Sequence, residues 1–301
     1  MSVLFTSIRP LYRAENLKTV FNAYEGDKKY VNRLNLTEEL ATGRYRLLVT
    51  DELPNESPGK CIWIGHGMGA GKLYGLAKEV TPFKHPEMIT YAIASSLEMV
   101  PVVARFCGIS EMQVIPLGMP RTDAYFQPAP AHEGKRHLYV PTFRSSNWMP
   151  DLNMLWRLLP EGEKLIVKPH MVTGNNRFRR RNYPNIQYAG SQETSTKYLM
   201  TSDTVITDYS SIMFDAMVLR KPVVLFAKDR EYYMQSRGMF YPYPEDYSEF
   251  YAETEQDLVD QLAIAEWTDR QEDRRAFYAG ACDGHSTERM LELIEEVLCE
   301  S

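Results

Sequence analysis

The sequence predicts an α/β protein built from two parallel-sheet domains of the doubly wound, nucleotide-fold type, facing a cleft. Three observations carry this expectation. The length of 301 residues suits two domains of ordinary size, each with its own core. Short β-rich apolar runs alternate with helical patterns, the signature of a parallel sheet with crossover helices. A break at Gln127-Pro128-Ala129-Pro130-Ala131-His132-Glu133-Gly134 carries Pro and Gly without apolar periodicity, and the alternation restarts after it. The expected domains are therefore 1–130 and 131–301.

Taken in order, the stretch Met1-Ser2-Val3-Leu4-Phe5-Thr6-Ser7, with its short apolar run, reads as a first strand, with neither the basic leader nor the long apolar core of a signal peptide. Strands are expected at Tyr45 to Val49, Cys61 to Ile64, Met88 to Ala94 and Gln113 to Leu117. After the linker they are expected at His137 to Phe143, Lys164 to Val167, Ile186 to Ala189, Thr204 to Thr207 and Pro222 to Ala227. Helices should begin near Leu152, Thr194, Ser211 and Glu255. In such sheets ligands meet the carboxyl ends of the strands, so the residues just after each strand are the first to inspect.

Composition narrows the function classes. Hydrophobic residues make up 44% and charged residues 25%, which suits a folded chain with a sizeable core. A formal net charge of -6 excludes non-specific nucleic-acid binding, which needs an excess of Lys and Arg. The four cysteines, Cys61, Cys107, Cys282 and Cys299, lack CxxC spacing and suggest neither a zinc site nor a disulfide framework. A reducing, cytoplasmic setting fits. No run approaches the roughly 18 apolar residues of a membrane span, so membrane contact is expected to be peripheral at most. The dense basic run Arg177-Phe178-Arg179-Arg180-Arg181 reads as a solvated loop or as a contact for anionic lipid or a polyphosphate acceptor.

Two segments carry the most chemistry. In Cys61-Ile62-Trp63-Ile64-Gly65-His66-Gly67-Met68-Gly69-Ala70-Gly71-Lys72 an apolar strand runs into a glycine-rich turn. Glycines allow close backbone approach to a ligand, and a His at a strand end can act near neutral pH, which makes His66 a candidate general base. A phosphate-binding Walker A loop would need Gly at His66 and Ser or Thr at Leu73, so that match fails. The loose dinucleotide pattern fits Gly65 to Ala70, with Glu87 as acidic partner, but does not follow the first strand. A tight turn with a structural His is the plainer alternative.

The second segment is Val205-Ile206-Thr207-Asp208-Tyr209-Ser210-Ser211-Ile212-Met213-Phe214-Asp215, where a buried strand gives way to a helix. Ser210 or Ser211 can cap that helix and leave first-turn N–H groups for an anion, or simply cap it. Lys168-Pro169-His170 closes another strand. Arg121 in Gly118-Met119-Pro120-Arg121-Thr122-Asp123 and Arg144 in Val140-Pro141-Thr142-Phe143-Arg144 follow strands in the same way. His66, Arg121, Arg144 and His170, with a serine-capped helix, suit a diphosphate. No acidic cluster has clear metal spacing, so no metal ligands and no tightly bound cofactor are expected; loosely bound magnesium stays compatible.

In this order the motifs resemble the CDP-glycerol glycerophosphotransferase family, whose members build teichoic-acid-like polymers. The matching stretches are Gly65-His66-Gly67 with Lys72, the Gly118 to Asp123 and Val140 to Arg144 segments, Lys168-Pro169-His170, Thr207 to Ser211 with Phe214-Asp215, and Lys221-Pro222-Val223. Asp229, Tyr233 and Arg237-Gly238 follow in the family's spacing. The segment before His66 is short for the family, and Met171 stands where it usually has Pro.

The resemblance implies a GT-B architecture of two Rossmann-like domains, an acceptor-side first domain and a second domain holding most of the donor. It implies CDP-glycerol or CDP-ribitol as donor, release of CMP, and a glycan or polyol-phosphate acceptor, free or lipid-linked, in cell-wall or capsular polymer synthesis. His66 resembles the base that deprotonates the acceptor. His170, Arg121, Ser210 and Ser211 resemble pyrophosphate contacts, with Arg144 beside them and Asp215 supporting the helix start; His170 also counts among the catalytic candidates. Two other readings stay open: a glycosyltransferase of the same fold using a nucleotide sugar, and a catalytically silent nucleotide-binding protein.

Overall fold

The computed structural model describes residues 2–65, 67, 68, 85–142, 150–170, 183–190 and 193–300. His66, Arg144, the stretch from Gly71 to Lys72 and the Arg177 to Arg181 run lie outside the described residues.

The chain forms two compact units, each around a sheet that is six-stranded and all-parallel among the described residues. Among the described residues, 2–127 and 276–300 belong to the first unit and 128–275 to the second. The linker falls close to the expected place. The final segment does not: residues 276–301 were expected in the second domain and belong to the first unit, the division falling inside a helix.

In the first unit the strands are β1 (Ser2–Ser7), β2 (Lys28–Asn32), β3 (Tyr45–Thr50), β4 (Lys60–Trp63), β5 (Tyr91–Ile93) and β6 (Val114–Ile115), in the order β2-β1-β3-β4-β5-β6. β1 is buried along its whole length, as a strand covered on both faces must be, which explains its apolar centre Val3-Leu4-Phe5. The helices are α1 (Glu15–Ala23), α2 (Leu36–Leu40) and α3 (Val100–Cys107).

The second unit repeats the plan. Its strands are β7 (Arg136–Tyr139), β8 (Lys164–Val167), β9 (Ile186–Tyr188), β10 (Thr204–Thr207), β11 (Val223–Phe226) and β12 (Phe250–Ala252), in the order β12-β11-β10-β7-β8-β9. Its helices are α4 (Leu152–Leu158), α5 (Thr196–Met200), α6 (Ile212–Val218), α7 (Arg230–Ser236) and α8 (Glu255–Ile264). Tyr139, Val167, Ile206, Val224 and Phe226 line one continuous core with Leu155 and Leu258.

α9 (Asp269–Ala279) then leads to α10 (Ser286–Cys299). α10 buries Met290, Leu293, Ile294, Val297 and Leu298, the spacing of a single helical stripe. Its N-terminal amides at Ser286 and Thr287 donate to the Asp123 carboxylate at 3.1 and 2.7 Å, a cap supplied from far away in sequence. At the other end the Lys60 ammonium donates to the Val297 carbonyl at 2.6 Å. No helix among the described residues is long and apolar enough to cross a membrane.

Candidate functional site

In a parallel sheet all carboxyl ends lie on one edge, and a crevice opens where neighbouring strands send their connections in opposite directions. In the second unit that point lies between β7 and β10. The segment after β10 is Asp208 to Ser211, and the segment after β7 runs through Thr142; the expected phosphate turn therefore starts at the switch point.

Asp208 ties the two segments together. Its buried carboxylate accepts the Thr142 amide at 2.9 Å through Oδ1 and 3.1 Å through Oδ2, and Oδ1 also accepts the Tyr209 amide at 2.6 Å. The Thr207 hydroxyl adds a bond to the Val140 carbonyl at 2.6 Å. Tyr209 is held as well. Its ring stacks on Tyr233 at 3.6 Å and 10°, and its hydroxyl donates to Asp229 Oδ1 at 3.1 Å. Asp229 and Tyr233 are the two residues that sequence spacing had joined without a role; they clamp the residue preceding Ser210.

The two serines are not equivalent. Ser211 sits at the start of α6 in helical conformation with no side-chain cap bond, and Ser210 Oγ is 3.5 Å from the Ile212 amide, the long limit of a hydrogen bond. The amides of Met213 and Phe214 bond to the carbonyls of Ser210 and Ser211 at 3.2 and 3.1 Å. Ser210 thus makes a long cap bond to the helix start, while Ser211 already turns with the helix and makes none. Both are half-buried, whereas Asp215 is buried within α6.

His170 lies three residues beyond β8, the strand next to β7, and is half-buried. Lys221 is spent structurally. Its ammonium donates to the Met200 carbonyl at 3.1 Å and to those of Leu199 and Ser202, closing the end of α5, and burial pulls its pKa down to about 8. Thus Ser210, Ser211, Asp215 and His170 come from the carboxyl edge of one sheet. Arg121 belongs to the first unit.

There, Gly65 follows β4 with φ +59°, and a Cβ would stand 3.0 Å from the Trp63 ring, so a side chain is disfavoured on both counts. The Gly65 carbonyl accepts from Asn16 Nδ2 at 3.2 Å, while Asn16 Oδ1 accepts the Arg121 amide at 3.1 Å. Arg121 is 8% exposed, in a 3-10 helix spanning Pro120–Phe126. Gly118, which opens this segment at φ +84°, has no room for a Cβ against the Ala281 carbonyl and the Ser286 hydroxyl.

The switch point of the first sheet lies between β1 and β3, one strand away from the Gly65 turn. It carries Ser7 and Asp51, which sequence reading passed over. Asp51 is 1% exposed, and burial pushes its carboxyl up to about 6, with Glu52 adding repulsion and the Ser7 hydroxyl and Arg9 opposing. Among the described residues no three His, Cys, Asp or Glu side chains converge as metal ligands.

The model of the CDP-glycerol:poly(glycerophosphate) glycerophosphotransferase family matches residues 3–296. The teichoic acid glycerol-phosphate primase of Bacillus subtilis (strain 168) is 29% identical over 235 residues, 66% of this chain and 58% of that one. The teichoic acid poly(ribitol-phosphate) polymerase of Bacillus spizizenii is 26% identical over 263 residues, 77% of this chain and 42% of that one. The chain thus spans about half the length of these relatives. The wall teichoic acid polymerase TagF superposes with a TM-score of 0.79 at 18% identity, covering 100% of this chain and 90% of that chain. A putative UDP-N-acetylglucosamine 2-epimerase from Listeria monocytogenes superposes with a TM-score of 0.63 at 12% identity, covering 100% of this chain and 97% of that chain. These likenesses carry the fold, two Rossmann-like halves of the GT-B class.

Proposed function

Since the chain belongs to the CDP-glycerol:poly(glycerophosphate) glycerophosphotransferase family, we propose that it transfers an alditol phosphate from CDP-glycerol or CDP-ribitol to an acceptor hydroxyl and releases CMP. The observation that carries this reading is the family match over residues 3–296. Relatives named for glycerol-phosphate and ribitol-phosphate chemistry support either donor. The acceptor in this reading is the hydroxyl of a polyol phosphate or glycan, free or lipid-linked, met in the cytoplasm or at the inner membrane face.

The reaction forms one O–P bond and breaks another. The acceptor oxygen attacks the phosphorus bearing the alditol, its proton passes to His66, and the bond to the CMP oxygen breaks. His170 and the Ser210 and Ser211 hydroxyls stabilise the charge that grows on the phosphate oxygens, with Arg121 and Arg144 as cationic partners. Asp208, Asp229 and Tyr233 hold the serine turn so that little reorganisation accompanies binding. No step requires a covalent nucleophile; magnesium, if used, would be loosely held.

The test is a donor screen with CDP-glycerol, CDP-ribitol and UDP-sugars, following nucleotide release. CMP from a CDP-alditol is expected, and UDP release instead overturns the reading. His66→Ala should abolish turnover while leaving donor binding largely intact; unimpaired turnover removes the base assignment. Ser210→Ala combined with Ser211→Ala should weaken donor binding, and unchanged affinity removes the phosphate-turn assignment.

A further inference from the structure

Asn16 carries no motif, yet it joins two segments that do. It lies in the first turn of α1 and is 2% exposed. Its carboxamide uses both ends: Nδ2 donates to the Gly65 carbonyl at 3.2 Å, and Oδ1 accepts the Arg121 amide at 3.1 Å. The two partners are 49 and 105 residues away in sequence. A carboxamide can do this because it is at once donor and acceptor; a carboxylate offers no donor and an apolar side chain offers neither.

The Gly65 end matters most. Gly65 adopts a left-handed conformation with Trp63 against its α-carbon, and Ile64 is pinned by its amide to the Thr50 carbonyl at 2.8 Å. A peptide unit is planar, so holding the Gly65 oxygen fixes the plane in which the chain continues toward its next residue. The Arg121 end fixes the start of the 3-10 helix that bears that arginine. A buried carbonyl and a buried amide of two functional segments are thereby satisfied by one side chain.

We propose that Asn16 is a positioning residue, whose carboxamide sets the Gly65 peptide and the Arg121 peptide in one fixed relation and so preorganises Gly65, the residue that precedes His66 in sequence. This rests on the reading of His66 as acceptor base. Asn16 itself touches no reacting atom. Its contribution is to the geometry of attack, so it governs turnover more than donor affinity.

The experiment compares wild type with Asn16→Asp, Asn16→Leu and Thr19→Val, measuring kcat and donor KM for CMP release and the His66 ring resonances in a 15N-histidine-labelled protein, assigned with His66→Ala. Thr19 lies on the same helix and bonds only within it, to the Glu15 carbonyl at 2.8 Å, so it controls for disturbance of α1. Asn16→Asp should lower kcat by roughly 10- to 100-fold, the range lost when reacting groups are misplaced by about an ångström. Donor KM should change little, the His66 resonances should shift, and Thr19→Val should match wild type in all three. If Asn16→Asp does not fold, Asn16→Leu carries the same expectations. A folded Asn16 variant with wild-type kcat, an equal loss in Thr19→Val, or loss of folding in both Asn16 variants overturns the proposal. Should wild type turn over no CDP-alditol, the functional reading fails separately, and unshifted His66 resonances in a folded Asn16 variant still overturn the positioning role.

Discussion

Replacing Asp51 with Asn should stabilise the protein near neutral pH and do nothing in acid. The carboxyl stands at the end of β3 with almost no exposure, and burial raises its pKa from 3.8 to about 6. Between these values the folded chain keeps a proton that the unfolded chain has released, so stability falls as pH rises through this window. At about 1.36 kcal/mol per pH unit, the ionised folded state carries a penalty on the order of 3 kcal/mol at neutrality. Asn keeps the shape and removes the charge. Urea or thermal unfolding of both proteins at about pH 4 and about pH 7.5 should give equal stabilities in acid and a gain of about 1–3 kcal/mol at the higher pH. A variant less stable than wild type at the higher pH, or a difference that does not vary with pH, would refute the reasoning, because it would mean that the ionised carboxylate is well partnered at the strand end.

Three other substitutions test the supports of the two turns. Gly65→Ala should cost about 1–3 kcal/mol, from a left-handed backbone and the Trp63 contact, and should reduce turnover beyond the loss of stability; calorimetry with matched kinetics checks both. Lys221→Met should destabilise the fold by about 1–3 kcal/mol by leaving the end of α5 without its donor, read from denaturant midpoints. Asp208→Ala frees the buried Thr142 and Tyr209 amides together and should weaken donor binding measured by calorimetry; unchanged affinity would show that the turn does not depend on this carboxylate.

The central strands were legible because strands buried on both faces are written as unbroken apolar runs. Lys164–Val167 and Thr204–Thr207 were read to the residue, and Val223–Phe226 to within one at each end. The edges were not. β2, with its Lys-Lys-Tyr-Val-Asn sequence, has too little apolar content, and β12 is too short to show a period. Serine before a helix suggested a cap by either residue, and the helical dihedrals of Ser211 leave that bond to Ser210. Asn16 was beyond local reading, since its meaning lies in partners far along the chain. Asp208 was within a motif, yet only the adjacency of β7 and β10 gives its carboxylate a task.

The return of α10 to the first unit makes the described part of the second unit an insertion within a discontinuous domain. During synthesis the stretch 128–275 is made before α10, whereas Asp123 and Lys60 must wait for the helix whose two ends they hold. The half that starts first is therefore completed last. Loss of α10 would strike the Gly118 and Arg121 segment, early in the message, while sparing the serine turn much nearer to it in sequence.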